Sequence, residues 1–148
     1  MDSQPPVIEA DAPEVALPMS SSDLFAELLG MHAVKSEDGD YVVQMEVGHE
    51  HTNGMGVAHG GAVFSLVDAA AALAAFARPG AYLSINSSIN FHRTANLGDV
   101  LTARARGRHT GRRLSSIAVD VTCDDRLIAT ASVQLLAHDI PAAQRAIE

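Results

Sequence analysis

A chain of 148 residues has the length of one domain, and 47% hydrophobic residues are enough to give it a core. With no Trp and 4% aromatics that core is aliphatic and Ala-rich, and a formal net charge of −8 excludes the broadly basic surface that holds nucleic acid or anionic membrane. Cys123 is the single cysteine, so no intrachain disulfide forms, in keeping with a reducing cytoplasm.

Residues 1–20 carry Pro5, Pro6, Pro13 and Pro18 with acids and no Lys or Arg, and they predict a disordered acidic leader. They lack the basic start and apolar run of a signal peptide. No apolar stretch reaches the roughly 18 residues of a membrane span without Ser or Asp interrupting it. The expectation is a soluble cytoplasmic protein with a leader over 1–20, one domain over 21–138 and a short tail over 139–148. Residues 22–29 (SDLFAELL) predict a short helix capped by Ser22 or Asp23. After the Asp38-Gly39 turn, Tyr41, Val43, Met45 and Val47 alternate with Val42, Gln44 and Glu46 and predict a half-buried strand. Residues 48–59 keep neither period and read as a loop long enough to suspect function. From about Gly60 to Ala77 the chain predicts a helix stopped by Arg78-Pro79-Gly80. Between Ala62 and Ala77 only Ser65 and Asp68 are polar, so this helix is expected to be buried on every side.

Strands follow. In the first, Leu83, Ile85, Ser87, Ile89 and Phe91 are expected on one face, with Ser84, Asn86, Ser88, Asn90 and His92 on the other. A second spans about 99–109, a third carries Ile117, Val119, Val121 and Cys123 on one face, and a fourth alternates Leu127, Ala129, Ala131, Val133 and Leu135 with polar residues. One long helix followed by an antiparallel meander means an α+β fold, in which a twisted sheet wraps the helix because no second long helix is available to cover it.

His59-Gly60-Gly61 falls where that helix begins. The first amides of a helix have no internal partners and point outward with the positive end of the dipole. Glycine lets a ligand approach them closely, so the Gly60 amide is a candidate oxyanion donor; equally, the glycines simply let the loop turn into the helix. Asn53 with Gly54 reads first as an Asn-Gly turn. Asp68 lies too deep in the helix to cap it. Burying a carboxylate requires a partner, and Ser65, three residues earlier, is one; the other reading is a general base or nucleophile in a dry pocket. Gly60 and Asp68 are about 12 Å apart along the helix at about 1.5 Å per residue. A donor and a base acting on one carbonyl must lie within roughly 6–7 Å of each other. Two antiparallel copies of the helix meet that condition and one does not, so a site using both lies across a dimer interface.

The segment Asn53-Gly-Met-Gly-Val-Ala-His59-Gly60-Gly61 with Phe64, Leu66 and Asp68, followed by Asn90-Phe91-His92-Arg93-Thr94-Ala95 and Leu97-Gly98-Asp99, resembles the hotdog-fold acyl-CoA thioesterases of the PaaI type. The likeness runs from about Leu28 to Ala137. It implies a hotdog fold, a central helix wrapped by a curved antiparallel sheet, in homodimers that pair into tetramers. It implies that the Gly60 amide polarises a thioester carbonyl, that Asn53 of the same subunit supports it, and that Asp68 of the facing subunit activates water or attacks. His59 and Gly61 then shape the substrate site, and Ser84 is the candidate for a strand serine used by some relatives. Acyl-CoA as substrate comes from this likeness alone, and it brings no cofactor.

Arg104, Arg106 and Arg108 share a strand face, with Arg112 and Arg113 beyond the turn. They form either a solvated face or an electrostatic grip on the coenzyme A phosphates. His49-Glu50-His51 with His59 lacks the spacing of a helical zinc site, and no metal is expected. The expected function is hydrolysis of a small, medium or aryl-acetyl acyl-CoA. The alternatives are a non-catalytic acyl-CoA sensor, against which Asp68 argues, and a dehydratase, for which no His/Asp motif is present.

Overall fold

Residues 23–36, 38, 40–75 and 81–138 are described by a computed structural model of the chain. The expected leader, the tail and the Arg78-Pro79-Gly80 stop lie outside them. Asp23 caps the short helix α1 (Leu24–Leu28), its Oδ1 accepting from the Ala26 amide at 3.0 Å. Gly30, at φ +66°, turns the chain out of it, a conformation that favours glycine. Strand β1 (His32–Lys35) then pairs with β2 (Tyr41–Glu46) through a turn in which the Ser36 amide donates to the Asp40 carbonyl at 2.7 Å. The helix α2 (Gly60–Ala75) follows, then β3 (Ala81–Phe91), β4 (Val100–Thr110), β5 (Leu114–Cys123) and β6 (Arg126–His138).

All pairings are antiparallel, in the order β1-β2-β4-β5-β6-β3, and α2 packs against β2, β3, β4, β5 and β6. This is the α+β hotdog architecture, one long helix inside one curved sheet. The core forms where Val63, Leu66, Val67, Ala70 and Ala71 meet Val43, Met45, Leu101, Ala103, Val119, Val121 and Val133. Small residues on α2 let the sheet come close, and Leu66, with no exposed surface, fills the contact.

Three features depart from the sequence expectations. β2 is not half-buried: Val42, Val43, Gln44 and Met45 are all buried, and Gln44 satisfies its amide by donating to Thr102 Oγ1 at 3.0 Å. α2 is not buried on every side. The sheet covers the face of Ala62, Val63, Leu66, Val67, Ala70, Ala71 and Ala75, while Phe64, Ser65, Asp68, Ala69 and Ala72 stay half-exposed. The third departure is a bulge in β3. Ser84 pairs with Leu135 and Asn86 with Gln134, which leaves Ile85 as the extra residue. The bulge reverses the phase of the strand, so Ser84 joins the helix-facing set of Ser87, Ile89 and Phe91, and the expected continuous face from Leu83 to Phe91 does not form.

Candidate active site

The loop before α2 is tied down at each end. Thr52 bridges Ala58 and Val57 bridges Asn96, while the His59 amide donates to the His51 carbonyl at 2.7 Å. Asn53 turns the loop: its Oδ1 accepts from the Met55 amide at 2.9 Å and the Val57 amide at 3.4 Å. That is the local turn expected of Asn-Gly. It also fixes the side chain so that its Nδ2 hydrogens have no partner among the described residues. His59 is the N-cap of α2. Its Nδ1 accepts from the Gly61 amide at 2.8 Å and its carbonyl accepts from the amides of Ala62 and Val63. Accepting at Nδ1 makes Nε2 the proton-bearing nitrogen of the ring.

The two glycines therefore differ. A Cβ on Gly61 would lie 3.0 Å from His59 Nδ1, so Gly61 is small to admit the cap, and its amide is already used. A Cβ on Gly60 would lie 3.3 Å from the Phe91 ring, which sits against the helix start. The Gly60 amide has no partner among the described residues and carries the exposed positive end of α2. Gly60 and Asn53 thus offer unsatisfied N–H donors on one short stretch of chain.

Asp68 lies two turns further along α2, in an open groove of about 520 Å³ bordered by α1 and β3. It is half-buried there, not sealed in the dry pocket expected from sequence. Its partner is not Ser65, whose hydroxyl donates to the Gly61 carbonyl at 2.8 Å, but Ser84, whose Oγ donates to Asp68 Oδ1 at 2.6 Å. The bulge at Ile85 places that hydroxyl toward the helix. Sequence alternation alone put Ser84 on the face of Asn86 and Ser88, and an isolated bulge leaves no composition signal.

The arginines are separated from this groove. Ala103 belongs to the core and Ala105 packs against it, so Arg104 and Arg106 take the other face of β4, away from α2. Arg104 Nη1 contacts Asp38 Oδ2 at 3.0 Å and Asp40 Oδ2 at 3.7 Å, which ties it to the β1–β2 turn. Hydrogen bonding by the Ser36 hydroxyl, and then the Arg104 guanidinium, holds the Asp38 carboxyl below the usual carboxylate range. Arg108 falls at a second bulge, between the pairs Gly107–Ile117 and His109–Ser116, so the row of three is not continuous. Of the histidines before the loop, His51 is buried with Nδ1 accepting from the Gly48 amide at 2.9 Å, while His49 is exposed. No cluster of three or more His, Cys, Asp or Glu is placed to hold a metal among the described residues. Nor is any described helix long and apolar enough to cross a membrane. The sequence reading passed over α1 as a wall of the groove, although Asp23 and Phe25 both line it.

Residues 55–130 match the Thioesterase superfamily, and the chain belongs to that family. Within it the likeness is to the PaaI type. The chain is 34% identical over 103 residues to acyl-coenzyme A thioesterase PaaI of Escherichia coli K12, covering 70% of this chain and 74% of that one. The solved structure of the E. coli PaaI protein superposes with a TM-score of 0.75 at 29% identity, over 80% of this chain and 86% of that chain. A Streptococcus mutans protein solved bound to acetyl-CoA superposes with a TM-score of 0.66 at 31% identity, over 72% and 86% of the two chains.

Proposed function

We propose that this protein hydrolyses a small, medium or aryl-acetyl acyl-CoA at a site made by two copies of the chain in the cytoplasm. The observation that carries this reading is the division of α2 into two half-sites. Unpaired N–H donors of Asn53 and Gly60 stand at its start, and the Asp68–Ser84 pair stands two turns on. The separation of about 12 Å along the axis is too great for one carbonyl to use both. An antiparallel second helix brings the Asp68 of one copy beside the Gly60 of the other. The half-exposed α2 face and the outer edge of β3, with Leu83 and Ile85 about half exposed, are the surfaces such a copy would cover. Dimers of this kind pair further into tetramers.

In this site the thioester oxygen accepts from the Gly60 amide and Asn53 Nδ2, which stabilise the negative charge as it develops. Asp68 of the facing copy takes a proton from water, whose oxygen bonds to the carbonyl carbon, or its own carboxylate attacks that carbon first. Ser84 holds the Asp68 carboxylate in place. In either route the carbon–sulfur bond breaks and the sulfur of coenzyme A leaves with its electron pair and gains a proton; direct attack leaves an acyl–aspartate anhydride, which water then hydrolyses to release the acid and restore the Asp68 carboxylate. The His59 ring and Gly61 shape the carbonyl end of the pocket. Arg106 and Arg108 are exposed for the coenzyme phosphates, with Arg104 held by the β1–β2 turn. Steady-state release of free coenzyme A from a panel of acyl-CoAs tests the reading. The expected result is turnover of at least one neutral acyl-CoA. Tight binding without release by any member identifies an acyl-CoA sensor instead.

A further inference from the structure

Among the described residues, the one buried side-chain nitrogen or oxygen without a hydrogen-bond partner is Nε2 of His51. His51 ends the 3-10 turn His49–His51 before the loop and is 3% exposed. Its Nδ1 accepts from the Gly48 amide at 2.9 Å, so in the neutral ring the proton is on Nε2. Glu50 Oε1 lies 3.9 Å from that nitrogen, beyond hydrogen-bonding distance, on a side chain that is mostly exposed. An unpaired buried donor costs stability. A leucine would occupy the space without that cost, so packing alone does not account for a histidine here.

What the ring supplies is the acceptor at Nδ1. Gly48 and His51 are bonded to each other twice, since the His51 amide also donates to the Gly48 carbonyl at 3.0 Å. Gly48 follows Val47, which is buried and bonded through its amide to Asp99 and through its carbonyl to Gly98. From this anchored point the loop departs and returns. The His51 carbonyl accepts from the His59 amide at 2.7 Å, Thr52 bridges Ala58, and the Asn53 amide donates to the Val57 carbonyl at 2.8 Å. The chain leaving His51 and the chain arriving at His59 therefore form a short ladder. Asn53 is two residues beyond His51 on the outgoing side, and Gly60 follows His59 on the returning side. The His51 backbone is the rung nearest the anchor, and the His51 ring fastens that rung to Gly48.

We infer that His51 is a positioning residue for the donor half-site, its ring fixing the separation of the Asn53 side chain and the Gly60 amide through the backbone. The kinetic consequence rests on the thioesterase reading. Two donors aimed at one developing oxyanion stabilise it only while both stay within hydrogen-bonding reach of the same point, and a small displacement of either is costly. Buried as it is, the ring does not touch substrate.

The test uses the full chain as wild type, His51→Asn and His51→Leu. Asparagine brings Oδ1 close to where Nδ1 stood and can accept from the Gly48 amide, but it leaves part of the ring's space empty. Leucine fills more of that space and cannot accept. A role in packing alone ranks leucine the better of the two, whereas positioning ranks asparagine the better. The expected result is that His51→Asn keeps kcat within about threefold of wild type, while His51→Leu loses roughly tenfold to 10²-fold in kcat with KM nearly unchanged. Thermal melting, run beside the kinetics, is expected to find His51→Leu at least as stable as His51→Asn. A further readout is independent of activity. Exchange of the His59 amide hydrogen, followed by NMR, is expected to quicken about tenfold or more in His51→Leu and to stay near wild type in His51→Asn. Equal kcat in the two variants, or turnover that follows melting temperature, overturns the inference and leaves the thioesterase reading standing. A wild-type protein that releases coenzyme A from no acyl-CoA overturns that reading instead. The amide exchange then decides the role of His51, and a rate unchanged in His51→Leu overturns it.

Discussion

Asn53 and aspartate have nearly the same shape and differ in what they donate. Asn53 Oδ1 is committed to the Met55 and Val57 amides, and aspartate can accept both. Only asparagine has Nδ2 hydrogens left for a ligand. Asn53→Asp is expected to keep the loop, with a melting temperature close to wild type, while kcat falls by ~10² or more, the usual cost of removing an oxyanion donor. Steady-state kinetics beside a thermal melt separate the two effects, and a variant that loses stability along with activity would reduce Asn53 to a turn residue. Asp68→Asn keeps the size of the side chain and can still accept from Ser84, but it can neither take a proton from water nor attack effectively. Turnover is expected to drop by ~10² or more while acyl-CoA binding persists. Full turnover would remove Asp68 from the mechanism.

The loop that carries Asn53 leans on another turn, which the Asp99 carboxylate helps to hold beside its backbone hydrogen bonds. Asp99 Oδ2 accepts from the Asn96 amide at 2.9 Å and from Arg126 Nη2 at 3.0 Å, and Asn96 bridges Val57. The Asn96 amide first, and then the Arg126 guanidinium, hold the Asp99 carboxyl below the usual range. A group whose folded value is depressed adds stability above its unfolded value of about 3.9 and loses that contribution as pH falls through the folded value. Wild type is therefore expected to exceed Asp99→Asn in urea midpoint at pH 7, and the gap to shrink as pH drops below about 4. A gap that stays constant to the acid limit would place the contribution outside the carboxylate. The strands after the helix, the central helix and its start near Gly60 were legible in the sequence because apolar period and turn residues agreed over long segments. β1 was not, because four residues cannot display an alternation. The partner of Asp68 was not legible either. Ser65 is the neighbour that helical spacing offers, and Ser84 becomes the partner only through the extra residue at Ile85, set by pairing with β6. Asp23 was legible as a helix cap and not as the wall of a groove, since the packing of α1 on α2 is a tertiary fact.

For the molecule as a whole, the decisive question is whether Asn53 and Asp68 act within one chain or between two. Along α2 the Gly60 and Asp68 positions are separated by about 12 Å, and the residues lining the groove include Asp68 and Ser84 but not Asn53, His59 or Gly60. If the two half-sites meet between copies, variants broken in different halves should complement. Asn53→Asp and Asp68→Asn are each expected to be nearly inactive alone. After subunit exchange in an equal mixture, half the dimers pair one variant with the other. In such a dimer one site joins both lesions and is dead, while the other joins an intact Asn53 to an intact Asp68. Activity should recover to about a quarter of wild type, half the dimers with half their sites. Tagged subunits recovered together show that exchange has taken place. If the residues act within one chain, every site keeps one lesion, and a mixture that stays inactive after demonstrated exchange rules out the shared site.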